Sequence, residues 1–295
     1  MPTRHPRSIA RPLQCVLTLA LLFNVVARAS ADDGDGGTSW NPRFSRFTPW
    51  QYGLTVAGAG AMFTSGMLLP SSNEVRWRGD VLLDHGAHDF FAASTQSGRR
   101  MASSLSDYLA LGLVLYPFVV DGLLVSGLGH GNYDVAFQLT MIGLQTMVMT
   151  NLMSNLSKRL VLRARPDIDN CKTGNELECS SQNESFLSGH TAAAFAGAGL
   201  ICANQQNLRL YGSDVAGAVT CGLALGTATA VGTLRMVANR HHLSDVLAGA
   251  ALGLATGYLL PNLTNFDFGA HARSHGRLSP LISDTNLGLQ IDGQF

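Results

Sequence analysis

Long apolar stretches separated by short polar breaks dominate the chain. They cover residues 50–69, 108–128, 135–152, 191–203, 215–237 and 246–260, and each has the length of a helix rather than a strand. Their interiors are rich in Ala, Gly, Leu, Met and Thr, and such small residues let helices approach closely, as in membrane bundles. The pattern therefore predicts an all-α fold, a bundle of about six long helices. The polar, mixed-charge segment 71–107 predicts one or two shorter amphipathic helices, and beyond Pro261 the composition turns polar, with a short hairpin expected within 281–295.

The N-terminus has a different pattern. Arg4, Arg7 and Arg11 precede an apolar run over 13–27, and Ala29-Ser30-Ala31 then leads into Asp32. That order predicts a secretory leader over 1–31, since the run is shorter than the ~20 residues of a membrane span. The Gly- and Asp-rich stretch 32–49 is expected to be flexible, 50–261 to form one helical domain, and 262–295 to form a polar tail. With 14% charged and 46% hydrophobic residues, a bilayer is a serious candidate environment. The formal net charge is +0, so no global field favours nucleic acid, and any anion site has to come from local clustering. Removing Cys15 with the leader would leave Cys171, Cys179, Cys202 and Cys221, an even count that suits an oxidising compartment. Cys171 and Cys179 flank a short polar loop, whereas Cys202 and Cys221 would have to meet across two helices.

Three clusters hold the candidate chemistry. The first, at the end of the third run, contains Lys158, Arg159, Arg163, Arg165 and Pro166. Lys158 and Arg165 lie two helical turns apart and would point the same way on a continuing helix, with Pro166 turning the chain away. The second is Ser188-Gly189-His190-Thr191, where Ser188 is a good N-cap and the first N–H groups of the following helix would face an anion. The third runs from Arg235 through His241 and His242 to Asp245. His241 and Asp245 are four apart, so a carboxylate could take one ring nitrogen and leave the other free to attack. Each cluster alone has an ordinary explanation: a cationic helix end, a helix cap, an Asp or Ser capping the last helix. Alternating helices would nevertheless bring all three to one end of the bundle. Lys158, Arg165, Arg235, a helix N-terminus and two histidines would then surround one point, and phosphate is the natural occupant.

In this order and spacing the clusters resemble the type 2 phosphatidic acid phosphatase and vanadium haloperoxidase superfamily. Its pattern KxxxxxxRP, PSGH and SRxxxxxHxxxD is met by Lys158 to Arg165-Pro166, by Ser188-Gly189-His190, and by Arg235 to His241 to Asp245, over about residues 105–261. Leu187 and Leu234 depart from it, replacing a proline and a serine. The resemblance implies that His241 is the nucleophile, that Asp245 orients it, and that His190 is the acid. It also implies that Lys158, Arg165, Arg235, Ser188 and the Gly189 amide hold the phosphate, with no metal and no cofactor.

The activity it implies is hydrolysis of a lipid or isoprenoid phosphate, or a similar small phosphate ester, through a phosphohistidine. A vanadate-dependent haloperoxidase and a non-catalytic scaffold with a retired site are the alternatives. Family members are both membrane-embedded and soluble; the expectation here is an exported enzyme, in the inner membrane with its site facing the periplasm, or periplasmic. Two further features stand outside the motifs. Asp84-His85-Gly86-Ala87-His88-Asp89 has a metal-like spacing but reads as a polar loop, and Asp121, inside an apolar run, is expected to have a structural partner.

Overall fold

The computed structural model describes residues 39–68, 74–168, 182–266, 277–283 and 286–292. The leader expected over 1–31 and the Cys171 and Cys179 pair lie outside the described residues. Six long helices form, as the apolar runs predict, and the polar breaks supply their starts. Thr95 accepts the Gly98 N–H through its hydroxyl, Asn132 accepts that of Val135, and Ser213 that of Ala216.

In chain order the helices are α1 Pro49–Leu68, the short α2 Asp84–Phe91, α3 Gln96–Tyr116, α4 Tyr133–Val161, α5 Gly189–Leu208, α6 Asp214–Val237 and α7 Leu243–Leu254. Helix α3 continues as a π-helix over Pro117–Gly129, and α7 continues through π-helical turns at Ala255–Leu259 into α8, Leu260–Thr264. The apolar run 246–260 is thus part of a longer rod than its own length indicates. Near the C-terminus β1 Arg277–Ser283 pairs antiparallel with β2 Asn286–Asp292, so the hairpin begins four residues before the expected segment.

Helix α5 is the axis of the bundle and packs against α3, α4, α6 and α7. Its alanines 192, 194, 196, 198 and 203 are wholly buried, because only small side chains admit neighbours on every face. The closest approach is to α7, where Gly249, Gly253 and Gly257 recur every four residues against α5. A Cβ on Gly249 would stand 2.6 Å from the Ser188 carbonyl oxygen. The same crossing brings the Ser188 N–H to the Asp245 carbonyl at 3.1 Å, which ties the start of α5 to the start of α7.

In the described part of the N-terminal stretch, aromatic side chains reach the bundle. Trp40 and Phe47 are buried, and Trp40, Phe44 and Phe266 stack with centroids 5.4–5.8 Å apart. Asp121 has the structural partners expected of it: its buried carboxylate accepts from the Tyr211 hydroxyl at 2.9 Å and the Asn204 amide at 2.9 Å. Cys202 and Cys221 form a disulfide joining α5 to α6, toward the end of α5 away from His190.

Among the described residues, four helical rods are long and apolar enough to cross a membrane: Gln96–Gly129, Tyr133–Val161, Asp214–Val237 and Leu243–Thr264. In three of them a third or less of the apolar window is covered by protein. So much exposed apolar surface calls for lipid, and the chain is a membrane protein.

The α5–α7 contact leaves no room at Gly253, where a Cβ would meet Phe195 Cβ at 2.7 Å and the Ala196 nitrogen at 2.8 Å. Gly253→Leu is expected to lower stability in detergent by about 1–3 kcal/mol. An unchanged unfolding midpoint would contradict the close crossing.

Candidate active site

The pocket begins where α4 ends. Leu162 takes a left-handed φ of 49°, and its N–H returns to the Lys158 carbonyl at 3.1 Å. The chain leaves extended, with the Ala164 N–H donating to the Trp77 carbonyl at 2.9 Å. Lys158 and Arg165 therefore do not share one helix, as their spacing allowed. Lys158 stays on the last turn of α4, while Arg165 sits on the extended segment, and both act on the same two imidazoles.

Arg163, read from sequence as one more cation of that cluster, faces inward instead. It is wholly buried, lies 4.1 Å above the Trp77 ring, and donates to Asp245 Oδ1 at 2.6 Å, Ser244 Oγ at 2.7 Å, Asp84 Oδ2 at 2.7 Å and the Gly79 carbonyl at 3.0 Å. Asp84, expected in a polar loop, opens α2 with its carboxylate turned inward. Burial pushes its pKa up, but hydrogen bonds from the Ser244 N–H, Arg163, the Val81 N–H and the Ser244 hydroxyl bring it down to about 2. Of the histidines beside it, His85 is exposed and lies 3.4 Å from Asp89.

Ser188 occupies the N-cap of α5, yet its hydroxyl does not cap the helix. It pairs with Thr191 Oγ1 at 2.8 Å. The first N–H groups of α5 are thus not taken by that side chain and face the pocket with the positive end of the helix dipole. Gly189 lies close to Lys158: a Cβ there would stand 3.1 Å from Lys158 Nζ and 3.0 Å from Ser154 Oγ. Leu187, where the resembled motif has proline, donates its N–H to Ser157 Oγ at 3.2 Å, a bond proline cannot make.

His241 lies in the turn between α6 and α7, and its ring is almost wholly buried. Nδ1 is 2.8 Å from the Ser185 carbonyl oxygen. A carbonyl only accepts, so the proton sits on Nδ1 and Nε2 carries the lone pair. Asp245 is not the direct partner expected from the four-residue spacing: its Oδ2 is 3.9 Å from Nδ1. That oxygen instead accepts from Ser185 Oγ at 2.6 Å and from the His242 N–H at 3.0 Å, so Asp245 also caps α7. Burial, then Arg165, Arg235 and Lys158, push the His241 pKa well below its ordinary value, and the ring is neutral. His190 is pushed down to about 3 by burial and by Arg235, Lys158 and Arg165. Both histidines thus feel the same three cations, and the three sequence clusters meet in one pocket.

Two groups in the pocket were missed in the sequence. Ser185 acts through its backbone carbonyl, which leaves no trace in a motif. Asp107, on α3, lies 3.1 Å from His190 Nε2, and its Oδ1 accepts from Arg235 Nη1 at 3.2 Å. Ser103 and Ser106 approach Arg235 from the same helix, at 3.4 and 3.3 Å. The spacing Ser103, Ser106, Asp107 marks one helical face and was the available signal.

Comparison with known proteins gives the same answer as the motif order. Residues 139–268 match the PAP2 superfamily. The chain is 31% identical over 150 residues to a lipid A 1-phosphatase of Porphyromonas gingivalis, covering 48% of this chain and 29% of that protein. It is 28% identical over 155 residues to a PA-phosphatase related-family protein of Dictyostelium discoideum, covering 50% and 55%. The chain therefore spans about half or less of the length of these relatives. Among solved structures, a transmembrane PAP2 type phosphatidylglycerolphosphate phosphatase from Bacillus subtilis aligns with TM-score 0.47 and 18% identity, over 72% of this chain and 94% of that one.

The buried ion cluster makes its own prediction. Arg163→Ala strands two carboxylates and is expected to cost about 3–5 kcal/mol in an unfolding titration. The folded-state pKa of Asp84 lies below its unfolded value of roughly 4, so its contribution is full above that pH and is lost as pH falls toward 2. Asp84→Asn should lower stability at neutral pH and flatten the acid decline over that window; an unchanged slope would contradict the assignment.

Proposed function

We infer the function from the pocket and from the family to which residues 139–268 belong, the PAP2 superfamily. The protein is a phosphatase that hydrolyses a lipid or isoprenoid phosphate through a phosphohistidine on His241, without a metal ion. One observation carries this reading. A buried, neutral imidazole with its Nδ1 proton committed to Ser185 keeps its Nε2 lone pair among three cations at a helix N-terminus.

His241 Nε2 attacks phosphorus. The N–P bond forms as the bond to the leaving oxygen breaks, and His190 gives that oxygen its proton. Water then attacks the phosphohistidine, His190 takes its proton, the N–P bond breaks, and inorganic phosphate leaves with His241 neutral again. Lys158, Arg165, Arg235, the Ser188 hydroxyl and the Gly189 amide hold the equatorial oxygens, where charge accumulates. The three side-chain cations supply the neutralisation that a metal provides elsewhere. Asp245 acts on His241 at one remove: it fixes Ser185, whose carbonyl fixes the ring, and at 3.9 Å its charge favours the cationic phosphohistidine.

A membrane setting for the site is supported by α3. Ser103, Ser106 and Asp107 face Arg235, while Met101, Leu105 and Tyr108 form an exposed apolar stripe on the same helix. That stripe lies on the opposite face of α3 from Arg235, where it suits contact with the surrounding bilayer. The name of the Porphyromonas relative, lipid A 1-phosphatase, agrees with a lipid phosphate. The Cys202–Cys221 disulfide supports an oxidising compartment, hence an exported protein.

The purified protein in detergent should release phosphate from phosphatidate or undecaprenyl pyrophosphate in the presence of EDTA, and vanadate should inhibit it. His241→Ala should lower turnover by about three orders of magnitude or more at an unchanged unfolding midpoint. Retained turnover in that variant would overturn the reading, and vanadate-dependent bromination without phosphate release would favour a haloperoxidase.

A further inference from the structure

The two imidazoles of the pocket have different backing. His241 leans on a carbonyl, the Ser185 oxygen at 2.8 Å from Nδ1, while His190 faces a carboxylate, Asp107, at 3.1 Å from Nε2. Asp107 belongs to none of the three motif clusters. It enters from α3, a helix that contributes no motif residue, and it is half exposed, so burial alone does not explain its presence. The charged groups that face His190 are Lys158 at the end of α4, Arg165 on the extended segment, Arg235 on α6 and Asp107 on α3. Among these described neighbours, Asp107 is the one anion.

We propose that Asp107 is the positioning residue of the acid, holding His190 with its proton on Nε2 and stabilising the imidazolium that protonates the leaving oxygen. This inference rests on the phosphatase reading above. A carboxylate beside Nε2 repels a lone pair there and favours N–H, which leaves Nδ1 as the nitrogen that turns toward substrate. The two histidines thereby hold opposite tautomers: Nδ1–H with Nε2 free in His241, Nε2–H with Nδ1 free in His190. Burial and the three cations Arg235, Lys158 and Arg165 favour the neutral ring of His190. An arriving phosphate brings negative charge, Nδ1 takes up a proton, and Asp107 steadies the resulting cation while that proton passes to the leaving oxygen. Asp107 also accepts from Arg235, so one carboxylate fixes both the acid and one of the cations that hold the phosphate.

Leaving-group chemistry separates this role from a merely structural one. The alkoxide departing from phosphatidate needs a proton; the phenoxide departing from p-nitrophenyl phosphate does not. We would compare kcat/KM for the two substrates, which reports only the steps up to the phosphohistidine, in the wild-type protein and in D107N and D107A. The expected result is a loss of about a hundredfold on phosphatidate against about threefold or less on p-nitrophenyl phosphate, with the unfolding midpoint unchanged. Any weakening of Arg235 would act on both substrates equally and cancel in the ratio. Equal losses on both substrates, or no loss on phosphatidate, would overturn the proposal. A wild-type protein that cleaves neither substrate would instead overturn the phosphatase reading itself.

Discussion

Everything at the pocket end of the bundle is arranged around Arg163. Its guanidinium is wholly buried between Asp84 and Asp245, and those two carboxylates belong to different helices. Removing Arg163 leaves two buried carboxylates uncompensated in a low dielectric, so both depend on it. Because Asp84 opens α2, Asp245 lies in the first turn of α7 and Arg163 follows α4, the cluster pins three otherwise distant segments to one point. The Trp77 strand pairing with Arg163 adds a fourth. The reach of Asp245 then extends through Ser185 to His241, so the orientation of the buried imidazole depends on this ion cluster.

On that frame the pocket concentrates positive charge around neutral imidazoles. Lys158, Arg165 and Arg235 come from three separate segments, and the first amides of α5 add their dipole. Such a convergence repels itself; Asp107 offsets part of it beside Arg235, and an arriving anion would relieve more. The glycine stripe of α7 allows it sterically, since Gly249 brings α7 against the Ser188 carbonyl and so sets Asp245 beside the start of α5. The residues that let two helices touch also bring the first amides of α5 near the histidine turn.

Much of this was legible in the sequence, for identifiable reasons. The six helices show as apolar runs, and the three clusters show because their charges interrupt those runs at fixed spacings. The inward turn of Asp121 was legible too, since an acid within an apolar run requires partners. Other features were hidden. The run 246–260 looked short because π-helical turns and Pro261 carry the rod onward to Thr264. The distance from Lys158 to Arg165 suggested a shared helix, whereas a left-handed Leu162 ends α4 between them. Arg163 looked like one more pocket cation because its counter-ions, Asp84 and Asp245, lie about eighty residues away on either side in the sequence. The partner of His241 is a backbone carbonyl, which no side-chain pattern records, and Asp107 lay in a polar stretch with no motif to single it out.

The central claim is that His241 becomes covalently phosphorylated. Rapid quenching of the protein with a phosphate-labelled lipid, followed by peptide mapping, tests it most directly. The account predicts a transient label on the peptide carrying His241, stable in base and lost in acid, as a phosphoramidate bond requires. A base-labile or serine-linked label, or turnover with no label on that peptide, would contradict it.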